Sequence, residues 1–145
     1  MILGVEKHLQ QAILNTGLNQ IDTLSPYEFE EWVARFLRMC GYNAYATKKS
    51  GDFGADVLAE KDNIKIAIQV KKFINSPIGI RSVQEVSSAM DYYDATEGWV
   101  ISTARYCSNP AKELASKRDI KLYCKNDLAI MFDDLLKSNN KDIAS

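Results

Sequence analysis

The residues best suited to chemistry lie in one short stretch, 51–72, which reads GDFGADVLAEKDNIKIAIQVKK. Side chains alternate faces along a strand, so in the last strand of this stretch Gln69 and Lys71 point the same way, roughly 6 to 7 Å apart. A tight turn at 62–63 folds the preceding strand back and brings Asp56 to the same level. A carboxylate, an amide oxygen and an ammonium are therefore predicted to meet at one end of a sheet.

These groups suit a divalent metal ion acting on phosphate. Mg²⁺ prefers oxygen ligands in near-octahedral geometry, retains several waters, and is usually held by one or two carboxylates plus a substrate phosphate. Asp56 and the side-chain oxygen of Gln69 can supply such ligands, and the backbone carbonyl of Val70 could join them. Lys71 is then placed to orient an attacking water or to offset charge on the phosphate in the transition state.

A further carboxylate comes from the helix predicted over SPYEFEEWVARFLRMCG. Ser25 is its N-cap, Pro26 its first helical residue and Glu28 the partner that completes a capping box, while Gly41 ends the helix. At about 100° per residue, the buried stripe of this helix leaves Glu30 at its margin. Glu30 is expected to reach the site on the sheet, where it would hold a metal-bound water or ligate the metal.

The elements around these residues follow from apolar periodicity and turn residues. A strand, helix and strand in one sheet favour a right-handed parallel crossover. The fold class is therefore α/β, with a mixed sheet, an antiparallel meander plus a parallel crossover strand, flanked by helices. The predicted order is helix, three meandering strands, helix, strand, helix, strand and helix, over residues 25–41, 42–49, 55–61, 64–72, 80–94, 98–103, 108–119, 120–124 and 126–137.

The domain organisation is expected to be simple. An accessory N-terminal helix is predicted at 1–21, one domain at 22–137 and a flexible tail at 138–145. Aromatic side chains of the chain are expected in the core rather than as platforms for stacked bases, namely Phe29, Trp32, Phe36, Tyr92, Tyr93 and Trp99.

Composition excludes several classes of protein. The 145 residues, 46% hydrophobic and 26% charged, are typical of one globular domain. The formal net charge of -1 argues against a tight, nonspecific binder of polyanions. The three cysteines have no CxxC spacing, so neither a zinc site nor a disulfide framework is expected, and a cytoplasmic location fits. No segment is apolar enough to predict a membrane span.

Taken together, the motifs resemble a known family. The chain resembles the catalytic domain of Mrr-like type IV restriction endonucleases in five motifs. They are FE on the helix predicted at 25–41, followed by GDFGAD, IQVKK, GWVIST and NPAKELA. These enzymes belong to the PD-(D/E)xK nuclease superfamily, and the resemblance covers about residues 22–130. It implies a restriction-endonuclease-like core, and it departs from the wider superfamily at Gln69, where most members have Glu or Asp.

The resemblance also implies an activity and assigns residues to it. The metal-binding aspartate of the family maps to Asp56, its Gln-x-Lys to Gln69 and Lys71, and its helix glutamate to Glu30. The implied protein is a Mg²⁺-dependent DNA endonuclease, with Mn²⁺ as a substitute, for restriction or DNA processing. Mrr proteins usually carry a separate recognition domain, so recognition is expected from a partner subunit or a further domain. Candidate DNA contacts, each with an ordinary surface or strand-end role as the alternative, are Lys48, Lys49, Lys72, Arg81, Ser102 and Thr103.

Two alternative functions remain open from the sequence. A Holliday-junction or other structure-specific nuclease shares the fold and the carboxylate-plus-lysine chemistry, although junction binders are usually more basic. A catalytically silent DNA-binding or regulatory module would account for the neutral Gln69. Cutting both strands requires two active centres, most simply in a homodimer, and the apolar residues of the N-terminal helix either form that contact or pack on their own domain.

Overall fold

The computed structural model describes residues 21–47, 53–72 and 75–144, without the side chains of 136 and 138–144. The N-terminal helix predicted at 1–21 falls outside these ranges except for its last residue, and so do Lys48 and Lys49. Ile21 begins a short 3-10 helix, Ile21–Thr23. The remaining elements are α1 Pro26–Met39, β1 Asn43–Ala46, β2 Val57–Lys61, β3 Ile64–Lys71, α2 Ile80–Tyr93, β4 Glu97–Ser102, α3 Asn109–Ser116, β5 Ile120–Tyr123 and α4 Lys125–Ala144.

The strands form one mixed sheet in the order β1-β2-β3-β4-β5. The first three strands pair antiparallel, and β4 and β5 add in parallel to β3. The turn between β2 and β3 places Asp62 at φ 52° and Asn63 at φ 68°, the left-handed conformation that a two-residue hairpin turn of type I′ requires. The predicted fold class and element order are confirmed.

Helices cover both faces of the sheet, and β3 divides the core between them. Ile66 and Ile68 pack with α1 and α4 in one buried cluster, whereas Ala67 packs with α2 and α3 in another. Because successive side chains alternate faces, Gln69 lies on the α2 face with Ala67.

The first helix begins as its sequence predicts. The Glu28 backbone N–H donates to Ser25 Oγ at 3.1 Å, and the Ser25 backbone N–H donates to Glu28 Oε1 at 2.9 Å. This capping box satisfies two amides that the first turn would otherwise leave unpaired. Gly41 follows the helix with φ 93°, a conformation that glycine adopts without strain.

The cysteines differ from the sequence-based expectation. Cys107 and Cys124 form a disulfide with their Cα atoms 6.4 Å apart, while Cys40 is a free, buried thiol. The prediction of no disulfide was wrong because the partners meet only in three dimensions. Cys107 lies in the segment after β4 and Cys124 directly after β5, and these parallel strands end at the same edge of the sheet.

The chain end also differs from the expectation. The final helix continues to Ala144, whereas a tail was predicted from residue 138. Residues 126–144 contain neither proline nor glycine, so nothing in the sequence stops the helix. None of the helices in the described ranges has the length and apolar character needed to span a bilayer.

Candidate active site

The candidate site lies where β3 ends beside the start of β2. Asp56 immediately precedes β2, and its Oδ2 accepts a hydrogen bond from the backbone N–H of Val70 at 2.8 Å. The backbone N–H of Asp56 in turn donates to the carbonyl of Ile68 at 2.8 Å. The register that pairs Val57 with Ile68 therefore carries Asp56 to the level of Gln69. The predicted meeting of these two residues is present in the structure.

Gln69 is buried, with 4% of its surface exposed. Its Nε2 donates a hydrogen bond to Glu85 Oε2, so its Oε1 points away from that carboxylate. Oε1 is buried and has no hydrogen-bond partner among the described residues. A buried polar atom left unpaired costs about 1–3 kcal/mol, so such an atom in a native fold calls for a partner, which a water or an ion can supply.

Lys71 adds a positive charge beside the Glu85 carboxylate. Its Nζ lies 3.4 Å from Glu85 Oε2, and its side chain is 27% exposed. Arg81 approaches the other carboxylate oxygen, with 3.5 Å between Arg81 Nε and Glu85 Oε1. One carboxylate therefore contacts the amide of Gln69 and two cations.

Glu85 is the residue of this site that sequence reasoning missed. It lies on α2, contacts Gln69 and Lys71 of β3, and is only partly exposed. The signal was its helical spacing. Ser82 and Ala89 are both buried on α2, and residues three and four apart share one side of a helix.

The loop before Asp56 packs directly on the same helix. Gly54 has φ 86°, and a Cβ atom there would lie 2.6 Å from the backbone carbonyl oxygen of Glu85. The hydroxyl of Thr47 donates to the carbonyl of Ala55 at 2.7 Å and ties the loop to the end of β1. This close approach fixes Asp56 relative to α2.

Glu30 lies on the other side of the sheet from this cluster. It is half-buried on α1, and the buried side chains of α1 pack with Ile66, Ile68 and Val70. The Gln69 side chain points to the opposite, α2 face. A role for Glu30 at the site, and for the Val70 carbonyl as a ligand, stays a prediction.

The candidate DNA contacts have different surroundings. Lys72 Nζ donates to the backbone carbonyls of Asp22, at 2.9 Å, and Leu24. Ser102 is fully buried, and its hydroxyl accepts from the backbone N–H of Ala104 at 2.9 Å. These contacts favour structural roles for Lys72 and Ser102.

The remaining candidates differ in exposure. Thr103 is 8% exposed. Arg81, at 92% side-chain exposure, is accessible to a ligand.

An exposed aromatic pair joins the loop before β2, which carries Phe53, to the end of α2, which carries Tyr92. The rings of Phe53 and Tyr92 are stacked, with centroids 3.8 Å apart and planes 15° from parallel. Both residues are more than half exposed, so the expectation that Tyr92 belongs to the core was wrong. Trp99 and Phe29, in contrast, are buried as predicted.

The donor set fits a hard cation. The described residues contain no group of three or more His, Cys, Asp and Glu side chains that could hold a metal ion. Mg²⁺ does not need such a group, because one or two protein carboxylates, several waters and a substrate phosphate usually complete its coordination. Gln69 Oε1 and the Asp56 carboxylate, on residues at the same level of the β2–β3 pair, are oxygen donors of that kind.

A protein-family comparison identifies the domain. The Mrr catalytic-domain family, described as restriction endonuclease, matches residues 21–132. The chain belongs to this family. The Mrr-type match spans all five strands and the first three helices, and it includes Asp56, Gln69 and Lys71. No curated protein sequence matches the chain.

Solved structures show the same fold. The DNA modification-dependent restriction endonuclease AspBHI superposes with a TM-score of 0.60, at 15% identity over 92% of this chain and 40% of that one. The protein of unknown function AF1548 gives a TM-score of 0.59, with 22% identity over 69% of this chain and 58% of that one. A repair endonuclease from Pyrococcus abyssi gives 0.50, with 17% identity over 70% and 46%.

The chain thus spans about half the length of these proteins. At such identities the likeness establishes the restriction-endonuclease-like nuclease fold alone.

Proposed function

We propose that the chain is a divalent-metal-dependent DNA endonuclease that uses Mg²⁺, with Mn²⁺ as a substitute. The observation that carries this proposal is the buried Gln69 Oε1, unpaired among the described residues, at the strand level of Asp56, whose carboxylate is held by the Val70 backbone N–H. The Mrr-type family match over 21–132 supports a nuclease, and the metal, the DNA substrate and the reaction are the proposed steps beyond it.

Each residue of the site would have a separate role in phosphodiester hydrolysis. A bound divalent ion would supply Lewis-acid activation of the phosphate. Asp56 and Gln69 would hold that ion with oxygen atoms, and the Asp56 carboxylate is fixed by Val70. The Lys71 ammonium would offset the negative charge that develops when water attacks phosphorus and the bond to the leaving oxygen breaks.

Cleavage of supercoiled plasmid tests the proposal. The wild type should convert it to nicked or linear DNA with Mg²⁺ or Mn²⁺, and chelation should stop the reaction. Asp56→Asn and Lys71→Met should each lose at least about 100-fold in rate, because each removes a charged group that acts in the transition state. Lys117→Met is the matched control, since Lys117 is an exposed residue that caps the end of α3 and pairs with Glu113. Variants that cut as fast as the wild type would refute the site.

The same assay separates substrate structures. A four-way junction cut symmetrically, with linear duplex left intact, would identify a junction-specific nuclease instead. Light scattering with and without DNA tests for the homodimer that double-strand cutting requires. Deletion of 1–18 then tests whether the N-terminal segment forms that contact.

A silent module remains the second candidate, favoured by one observation. Gln69 is neutral where a second charged ligand beside Asp56 would strengthen cation binding, and the described residues hold no group of three or more His, Cys, Asp and Glu side chains that could bind a metal. Calorimetric titration with Mn²⁺ distinguishes the two candidates. Heat of binding that disappears in Asp56→Ala supports the nuclease, whereas DNA affinity without metal binding supports the silent module.

A further inference from the structure

We infer that Glu85 is a positioning residue that fixes the orientation of the Gln69 amide, so that Oε1 faces the metal position. The inference rests on the proposed metal site and assigns a role to a residue outside the Asp-Gln-x-Lys motif. Glu85 contacts both Gln69 and Lys71, the two motif residues on β3.

The orientation of a glutamine amide is decided by its hydrogen-bond partners. A carboxylate only accepts hydrogen bonds, so the Nε2 hydrogens of Gln69 must face Glu85. The reverse orientation would place Oε1 against a negatively charged oxygen. Because Gln69 is 4% exposed, water cannot compensate for that loss.

The consequence is that Oε1, and not Nε2, is presented on the other side of the amide. That atom is buried and unpaired in the described residues. Only an oxygen can ligate a cation there, since the amide nitrogen carries hydrogens and has no available lone pair. Glu85 therefore converts a neutral amide of ambiguous orientation into a defined oxygen donor.

Glu85 also places a negative charge close to the motif, where Gln69 supplies none. Its Oε2 accepts from Gln69 and lies 3.4 Å from Lys71 Nζ, which holds the ammonium beside the same amide. Its backbone carbonyl is in close contact with Gly54, two residues before Asp56. One helical residue therefore touches the loop and strand that carry the motif residues.

Exchanging the two side chains provides the decisive test. In Glu85→Gln, either end of the new amide can pair with Gln69, so the Gln69 orientation is no longer fixed. Mn²⁺ affinity, measured by calorimetry, should fall about 10- to 100-fold, as is typical when an outer partner of a metal ligand is removed. Combining Glu85→Gln with Gln69→Glu restores a carboxylate–amide pair and again presents an oxygen, so affinity should recover.

Recovery in the double variant distinguishes positioning from a purely structural role. If Glu85 served only to hold Lys71 or to stabilise α2, Glu85→Gln would lower Mn²⁺ affinity by the same factor with or without Gln69→Glu. The double variant is therefore compared with Gln69→Glu alone, because the added carboxylate by itself strengthens cation binding. Glu113→Gln is the matched control, because Glu113 is an exposed helical glutamate that pairs with Lys117 at 4.0 Å. It should leave Mn²⁺ affinity unchanged. A Glu85→Gln variant that binds Mn²⁺ like the wild type would overturn the inference.

A spectroscopic readout keeps the test independent of cleavage. The side-chain amide resonances of Gln69, assigned by their loss in Gln69→Glu, should show hydrogen bonding to a carboxylate in the wild type and change in Glu85→Gln. Resonances that are the same in both proteins would refute the contact with Glu85. A wild type that shows this contact but neither binds Mn²⁺ nor cuts DNA would refute the proposed function instead.

Discussion

The Asp56 carboxylate accepts a hydrogen bond from the backbone N–H of Val70, with 2.8 Å between the heavy atoms. The side chain thus takes a hydrogen-bond position at the end of the β2–β3 ladder, where β2 begins. Because Asp56 Oδ2 is hydrogen-bonded to the backbone of β3, the carboxylate is held at the level of Gln69. A metal-binding or catalytic side chain works only in a defined geometry, and a supporting hydrogen bond of this kind holds it there.

The first prediction separates the two roles of Asp56. Asp56→Asn keeps an oxygen that can accept from Val70, so the free energy of unfolding should remain close to that of the wild type. Asp56→Ala leaves that N–H without its partner and should cost about 1 kcal/mol. Both variants remove the carboxylate that we propose as a metal ligand and should abolish Mn²⁺ binding. Urea unfolding and calorimetry measure the two effects. Equal stability of the two variants would contradict the structural role.

The second prediction concerns Lys71, which should act on the transition state rather than on metal binding. Lys71→Met removes the ammonium while keeping most of the aliphatic side chain. We expect kcat to fall at least about 100-fold, with Mn²⁺ affinity unchanged or higher because a nearby positive charge is lost. A loss confined to KM would show that Lys71 instead contributes to substrate binding.

Much of this site follows from periodicity along the strands. Alternation along β3 and a two-residue turn at 62–63 bring Asp56 to the level of Gln69, and both are local features. Glu85 was missed because its partners lie on another element. The apolar pattern of a helix predicts which of its sides is buried, but not which residues of other elements lie against that side. Tyr92 shows the same limit. Helical spacing predicts the side of α2 on which its side chain lies, but not whether another element packs on that side.

The Cys107–Cys124 disulfide illustrates a second limit. Its partners are separated by 17 positions, and spacing alone does not define connectivity. Their contact depends on β4 and β5 being neighbours in the sheet.

The third prediction concerns the close approach of Gly54 to α2. Gly54→Ala places a side chain at φ 86°, with its Cβ 2.6 Å from a backbone oxygen. The left-handed conformation alone costs roughly 1–2 kcal/mol, and the helix or the loop must also shift. Gly79→Ala is the control, because no atom lies within 4 Å of a Cβ there. Urea unfolding should show the larger loss for Gly54→Ala, and equal losses would contradict this role of the contact.

The fourth prediction is that reduction destabilises the domain. Closing a loop of about this length contributes about 3 kcal/mol in the chain-entropy model. The urea midpoint of the wild type should therefore fall when a reducing agent is added. The double variant Cys107→Ser and Cys124→Ser should not respond to the reductant. Identical midpoints for the wild type with and without reductant would show that the disulfide contributes no stability.

The last prediction concerns alkaline pH and two weak acids on the α1 face of the sheet, the buried Cys40 and the partly buried Tyr123. Burial raises the pKa of the Cys40 thiol from 9.0 to about 12, against a smaller opposing effect of Lys61. Burial likewise raises the pKa of Tyr123 from 10.0 to about 12. Well below pH 9, both groups are neutral in the folded and in the unfolded chain.

Above that pH the unfolded chain ionises first, since its groups keep their ordinary pKa values. The folded state then retains more protons, and stability falls as pH rises towards 12, by up to about 1.4 kcal/mol per pH unit for each group. Comparison with Cys40→Ala isolates Cys40 in the window from pH 9 to 10, because Tyr123 is present in both proteins and contributes equally to each. The difference in unfolding free energy between the wild type and Cys40→Ala, measured in urea across this window, should therefore shrink as pH rises. A difference that stays constant from pH 9 to 10 would show that Cys40 ionises equally in both states.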